Sequence, residues 1–135
     1  MRYAPFNHEA DALTMMGEAQ LLEYFLTRIY ETEEIWGLDD GCTWVTSIQQ
    51  ENEVMPLWPY QKLATEMIPG AWPDTTEAVE SLEEFVEQTL IALMEDDIMI
   101  EIMPSPTRPG CLISPQRLHD ILTGMLDAGE YKLDG

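Results

Sequence analysis

Between Ser81 and Met103 the apolar residues change their spacing, and that change constrains the fold more than any other feature of the chain. Leu82, Phe85, Val86, Thr89, Leu90 and Leu93 recur at three- and four-residue steps, which marks one face of a helix. Ser81-Leu82-Glu83-Glu84 has the S-x-x-E form of a capping box, so the start of that helix is written in the sequence too. From Asp97 to Met103, DIMIEIM, the alternation becomes two-residue, as in a strand. A chain that carries both periods in succession is neither all-helical nor all-β.

The same reading extends in both directions. A helix is expected within Glu9 to Glu31, where Met15, Ala19, Leu22, Leu26 and Ile29 form a stripe that Leu21 and Phe25 widen; Gly17 leaves Leu21 to Tyr30 as its firmest part. Ile35, Trp36 and Leu38, then Cys42 to Ile48, are rich in β-branched and aromatic residues. They flank Asp39-Asp40-Gly41, which predicts a hairpin with that triplet at its tip, Trp36 and Trp44 being core or sheet-face residues. A third strand is expected over Val54 to Trp58, with Pro56 assigning it to an edge or to a strand end. A short helix from about Pro59 should turn Leu63, Ala64 and Met67 inward and stop at Pro69-Gly70. Cys111-Leu112-Ile113 is a further candidate strand. Ser114 and Pro115 then suit the N-cap and N1 positions of a last helix, buried through Leu118, Ile121, Leu122, Met125 and Leu126. The expected order is α-β-β-β-α-α-β-(β)-α. Short turns between strands imply an α+β fold with an antiparallel sheet of three to five strands and helices packed on one face. No repeat or linker divides the 135 residues, so one domain over 1–135 is expected.

Charge narrows the function classes. Twenty-six acids against six bases give a formal charge of −20, and no base lies between Lys62 and Arg108. Such a surface repels nucleic acid and anionic membranes and favours a basic partner. No apolar run approaches the ~20 residues that span a bilayer, and the N-terminal segment lacks the apolar core of a secretory signal, so a cytoplasmic location is expected. Cys42 and Cys111 are too few for a disulfide scaffold, and with His8 and His119 far apart neither a metal site nor a cofactor is expected.

Candidate sites are few. Asp39-Asp40-Gly41 runs straight into Cys42 and Thr43, which breaks the alternating oxygen ligands of a calcium loop. Two adjacent turn carboxylates are also poorly suited to holding separated pKa values for acid–base work. Cys111, His119 and Asp120 lack the glycine-rich turn that would accompany a nucleophile, and no catalytic set is assigned. Trp58, Tyr60 and Trp72, with Cys111, could line an aromatic pocket, although aromatics clamping a short helix to the sheet is the plainer reading. Glu80, Glu83, Glu84 and Glu87 recur opposite the apolar face of their helix. Glu80/Glu84 and Glu83/Glu87 would be like-charge pairs costing a few tenths of a kcal/mol each, which points either to recognition of a basic surface or to a solvated face.

The segments YFLTRIYETEEIWGL, PLWPYQKLATEM, SLEEFVEQTLIALMEDDIMIEIMPSP and LISPQRLHDIL resemble the bacterial family known as domain of unknown function 2750. The resemblance covers roughly residues 20–125 and rests mostly on core positions. It implies the fold and a bacterial cytoplasmic setting and supplies no catalytic residue.

The leading functional expectation is a non-enzymatic, acidic protein-binding module. It would act as an inhibitor or immunity-type protein of a basic partner such as a nuclease, through Glu80, Glu83, Glu84, Glu87, Asp39 and Asp40. One alternative is a small-ligand or enzymatic site around Trp58, Tyr60, Trp72 and Cys111. Another is a mimic of nucleic-acid phosphates.

Overall fold

The computed structural model describes residues 17–70, 72–106 and 108–128. The first helix is α1 (Glu18–Thr32), capped at Gly17, whose N–H donates to Gln20 Oε1 at 3.1 Å. Its buried face runs through Leu21, Tyr24, Phe25, Leu26 and Ile29, while Ala19 is exposed. Met15 and His8 lie outside the described residues. The helix stops where Glu33 takes a left-handed conformation (φ 59°), and β1 (Glu34–Asp39) follows at once.

Next come β2 (Ser47–Gln49), β3 (Asn52–Leu57) and a short helix, α2 (Gln61–Thr65), with Ala64 and Met67 buried beneath it. After these the structure adds an element that the hydrophobic pattern did not announce: β4 (Thr76–Ser81). Its residues, TEAVES, are mostly polar and half-exposed, so no apolar period marks them. β4 ends directly in α3, a continuous helix over residues 82–95 whose centre, Phe85–Thr89, is a π turn. The capping-box serine behaves as expected, with Ser81 Oγ accepting from the Glu84 N–H at 3.2 Å. β5 (Met99–Ile102), β6 (Cys111–Ile113) and α4 (Pro115–Ala128) complete the order. Ser114 Oγ accepts from the Arg117 N–H at 3.1 Å, as an N-cap should.

The α+β class holds, while the strand pairing corrects the expectation of one antiparallel sheet. β1 pairs antiparallel with β4 in a two-stranded sheet, and a four-stranded sheet has the order β2-β3-β5-β6. Within it β3 and β5 run parallel, from Val54↔Met99 to Leu57↔Ile102. The chain between them passes through α2, β4 and α3, and so long a crossover permits parallel pairing. The Asp39-Asp40-Gly41 turn is real, but only one bridge, Asp39↔Trp44, closes it. The ladder of β1 goes to β4 instead.

The two sheets meet at Trp36↔Trp58, where the N–H of each residue donates to the C=O of the other at 2.8 and 2.9 Å. β3 lies between β2 and β5 and is no edge strand, but Pro56 is its second-last residue, so of the two expected places for this proline the strand end is the one it takes. It survives there because alternate residues of a strand point their amides to opposite sides. Val54, the last residue paired with β2, and Trp58, paired with β1, leave Pro56 in a gap where no N–H is required.

The core joins Phe25 and Ile29 of α1, Ile35 and Leu38 of β1, Leu57 and Trp58, Phe85 and Leu90 of α3, Ile100 and Ile102 of β5, and Leu118 and Leu122 of α4. α1 packs on β1, β5 and β6, and α4 packs along α3. Trp36 and Trp44 are half-buried against this core.

Candidate functional site

The paired aspartates are used up by their own turn. Asp39 Oδ1 accepts from the Gly41 N–H at 2.6 Å, and Asp40 Oδ1 accepts from the N–H groups of Cys42 and Thr43 at 3.0 and 3.1 Å. Gly41 supplies the positive φ of 102° that the reversal needs. The backbone N–H of Cys42, then that of Thr43, holds the Asp40 carboxyl below its ordinary value. These are Asx turns, in which the carboxylates organise backbone.

The four residues of the aromatic alternative do not share a cavity. Trp58 and Tyr60 are packed solid, at 0% and 1% exposure. The Trp58 indole N–H donates to the Pro104 carbonyl at 2.8 Å, and the Tyr60 ring meets that of Tyr24 edge-on at 6.4 Å. Trp72 is half-buried at the mouth of a cleft bounded by Ser47, Pro56, Met67 and Arg108. Cys111 lines a different depression, beside Glu18, Leu22 and Arg117. Burial, and next the charge of Glu18, pushes the Cys111 thiol up, with Arg117 opposing, so the thiolate a nucleophile needs is disfavoured. His119 lies in another groove again, between α3 and α4.

One residue was missed by sequence reasoning. Glu101 is only 8% exposed, in the middle of β5. Its Oε1 accepts from Gln49 Nε2 at 3.0 Å and its Oε2 from the Gly110 N–H at 2.9 Å. The signal was an acid inside the apolar run IMIEIM, which alternation alone would turn to solvent. The carboxylate instead ties β2 and the segment before β6 to the sheet, at the floor of the cleft of about 620 Å³ that Trp72 borders. A buried acid is tolerable when both of its oxygens are hydrogen-bonded.

The acidic stripe is redistributed by β4. Glu80 belongs to the strand, opposite Ile35, and accepts from the Thr89 hydroxyl, so Glu80 and Glu84 are not helical neighbours. Glu80 and Asp39 instead border one cleft of about 540 Å³, together with Asp96 and Trp44. Glu83, Glu84 and Glu87 remain exposed on α3. Glu83 and Glu87 form one rim of a groove of about 390 Å³ between α3 and α4, with Asp127 on the far side. Val86, Ile91 and Leu126 give this groove its apolar lining.

Among the described residues no group of three or more His, Cys, Asp or Glu side chains is arranged to hold a metal ion. No helix among them is long and apolar enough to cross a membrane. A family model described as a protein of unknown function, DUF2750, matches residues 22–122, from α1 into α4. Comparison with curated proteins gave no match.

Proposed function

We propose, for a chain that belongs to the DUF2750 family, a non-enzymatic role as an acidic module that binds a basic protein, in the manner of an inhibitor or immunity-type protein. One observation carries this reading: Glu83, Glu84, Glu87, Glu95, Asp96 and Asp97 are all exposed, on a stretch from Lys62 to Arg108 that contains no other base. A dense set of exposed like charges steers an oppositely charged partner and raises its association rate. The separation of Cys111 from His119, and the use of Asp39 and Asp40 in turn formation, support binding over catalysis. The setting that suits this reading is reducing and cytoplasmic, since two cysteines, Cys42 exposed and Cys111 buried, are too few for a disulfide scaffold.

A partner that ordinarily binds nucleic acid is the special case in which these carboxylates stand in for phosphates. The test is affinity capture from the native host at ~0.05 M and ~0.3 M NaCl, a range over which screening strengthens markedly. A basic protein enriched at the lower salt and released at the higher is the expected result; its release by added duplex DNA or RNA would mark the phosphate-mimic case. Recovery of partners indifferent to salt would refute electrostatic recognition.

A further inference from the structure

Ile48, Val79, Ile91, Leu112 and Leu126 are the large apolar side chains exposed among the described residues, and two of them, Ile91 at 36% and Leu126 at 41%, meet in the groove between α3 and α4. A π turn, Phe85–Thr89, immediately precedes this part of α3. An α-helix advances about 100° per residue, which would set Ile91 about half a turn from Leu82 and facing away from the core. In the observed turn the Leu90 N–H donates to the Phe85 carbonyl, five residues back. With an extra residue in its hydrogen-bonded loop the chain rotates less per residue, so Ile91 no longer faces directly away from the core, and it lines the groove beside α4. Such turns recur at functional sites.

On the facing helix His119, Thr123 and Leu126 present a matching row at four- and three-residue steps. The walls are therefore two helices, the apolar part of the lining is Val86, Ile91 and Leu126, and the rims carry Glu83, Glu87 and Asp127. The groove has a volume of about 390 Å³, and of the clefts described it is the one that holds two exposed large apolar side chains.

We infer that this groove receives a cationic amphipathic helix from the basic partner, an assignment that rests on the function proposed above and gives it a location. Apolar side chains at i, i+3 or i+4, and i+7 of the incoming helix would settle against Val86, Ile91 and Leu126, as in other helix-in-groove complexes. Lysines or arginines flanking them would meet Glu83, Glu87 and Asp127. Charge decides the occupant: a second copy of this chain would bring an equally acidic rim against this one, and like charges across an interface oppose association.

The experiment uses three synthetic peptides: a Leu/Lys amphipathic helix of about 18 residues with leucines at that spacing, a scrambled sequence of the same composition, and a lysine-only peptide. Binding is measured by calorimetry at ~0.05 M and ~0.3 M NaCl. The amphipathic peptide should bind one to one and at least about tenfold more tightly than the scrambled one. Ile91→Asp and Leu126→Asp should each weaken it about tenfold or more, whereas Ile48→Asp, an equally polar change on β2, should not. Both altered side chains are already exposed, and circular dichroism verifies that the variants are folded. Glu83→Gln with Glu87→Gln should flatten the salt dependence.

Equal binding of the ordered and scrambled peptides, or indifference to Ile91→Asp and Leu126→Asp, overturns the groove assignment. If salt-dependent binding persists in that case, acidic recognition stands without it. Failure of all three peptides to bind at the lower salt removes both readings. A dimer that Ile91→Asp dissociates would give the groove to self-association and overturn the assignment as well.

Discussion

Replacing Trp58 with Phe asks whether this aromatic holds the fold together or waits for a ligand. Trp58 is completely buried, its backbone pairs with Trp36 to join the two sheets, and its indole N–H donates to the buried Pro104 carbonyl at 2.8 Å. Phenylalanine preserves the backbone pairing and a six-membered ring but loses the rest of the indole and its donor. The missing apolar surface, roughly 40 Å², is worth about 1 kcal/mol at ~25 cal/mol per Å². Leaving the Pro104 carbonyl buried without its partner costs about 1–3 kcal/mol more. The sum of about 2–4 kcal/mol is a large share of the ~5–15 kcal/mol that stabilises an ordinary domain. Urea unfolding followed by far-ultraviolet circular dichroism measures it without depending on the altered fluorophore. Trp36→Phe is the control: its side chain is only half-buried, so the cost should stay below about 1 kcal/mol. A Trp58→Phe variant within about 0.5 kcal/mol of the parent, at unchanged denaturant slope, would refute the reasoning. The Trp58 indole would then be dispensable to the core and available to a ligand after all.

Two glycine substitutions should have opposite signs in thermal unfolding. A Cβ on Gly110 would stand 2.3 Å from the Ile102 carbonyl oxygen and 2.8 Å from the Pro104 nitrogen, both backbone atoms, so Gly110→Ala should cost about 3 kcal/mol or more. Gly124 sits on α4 with nothing within 4 Å, and Gly124→Ala should stabilise by about 0.5–1 kcal/mol. Because the folded Asp40 carboxyl is held below its ordinary value near 4, its contribution to stability is complete above that value and is lost as pH falls through the depressed one. Acid unfolding of Asp40→Asn should therefore show a shallower loss over that window than the parent, and identical profiles would contradict the turn's role. At pH ~8 a thiol reagent should modify exposed Cys42 rapidly and buried Cys111, its thiol pushed up, only on unfolding; rapid labelling of both would show that the Cys111 site opens readily.

The sequence by itself determined the three long helices, the serine caps of α3 and α4 and the α+β class. Ser81 and Ser114 bond the amides three residues ahead, and the apolar stripes bury Leu82, Phe85, Val86, Leu90 and Leu93 of α3 and Leu118, Leu122 and Met125 of α4, whereas Leu126, expected on the buried face, is exposed because it lies at the open groove between the two helices. Every one of those interactions closes within a turn, so the residues that make it are close together in the chain. What the tertiary structure decided is whatever depends on a distant partner. β4 carries no apolar alternation and exists because β1 offers it a ladder from Glu34↔Ser81 to Asp39↔Thr76. Its formation took Glu80 from the helix and divided the acidic stripe between two clefts. The parallel β3–β5 pair likewise joins residues more than forty positions apart in the chain. Glu101 reads locally as a solvent-facing acid, yet its hydrogen bonds come from Gln49, 52 residues earlier, and from Gly110. The groove between α3 and α4 is of the same kind: its acids and apolar residues are visible in the chain, but only the packing of the two helices brings Ile91 and Leu126 together. Helical hydrogen bonds are local and strand pairing and helix packing are not, and that difference separates what could be read from the sequence from what had to be seen folded.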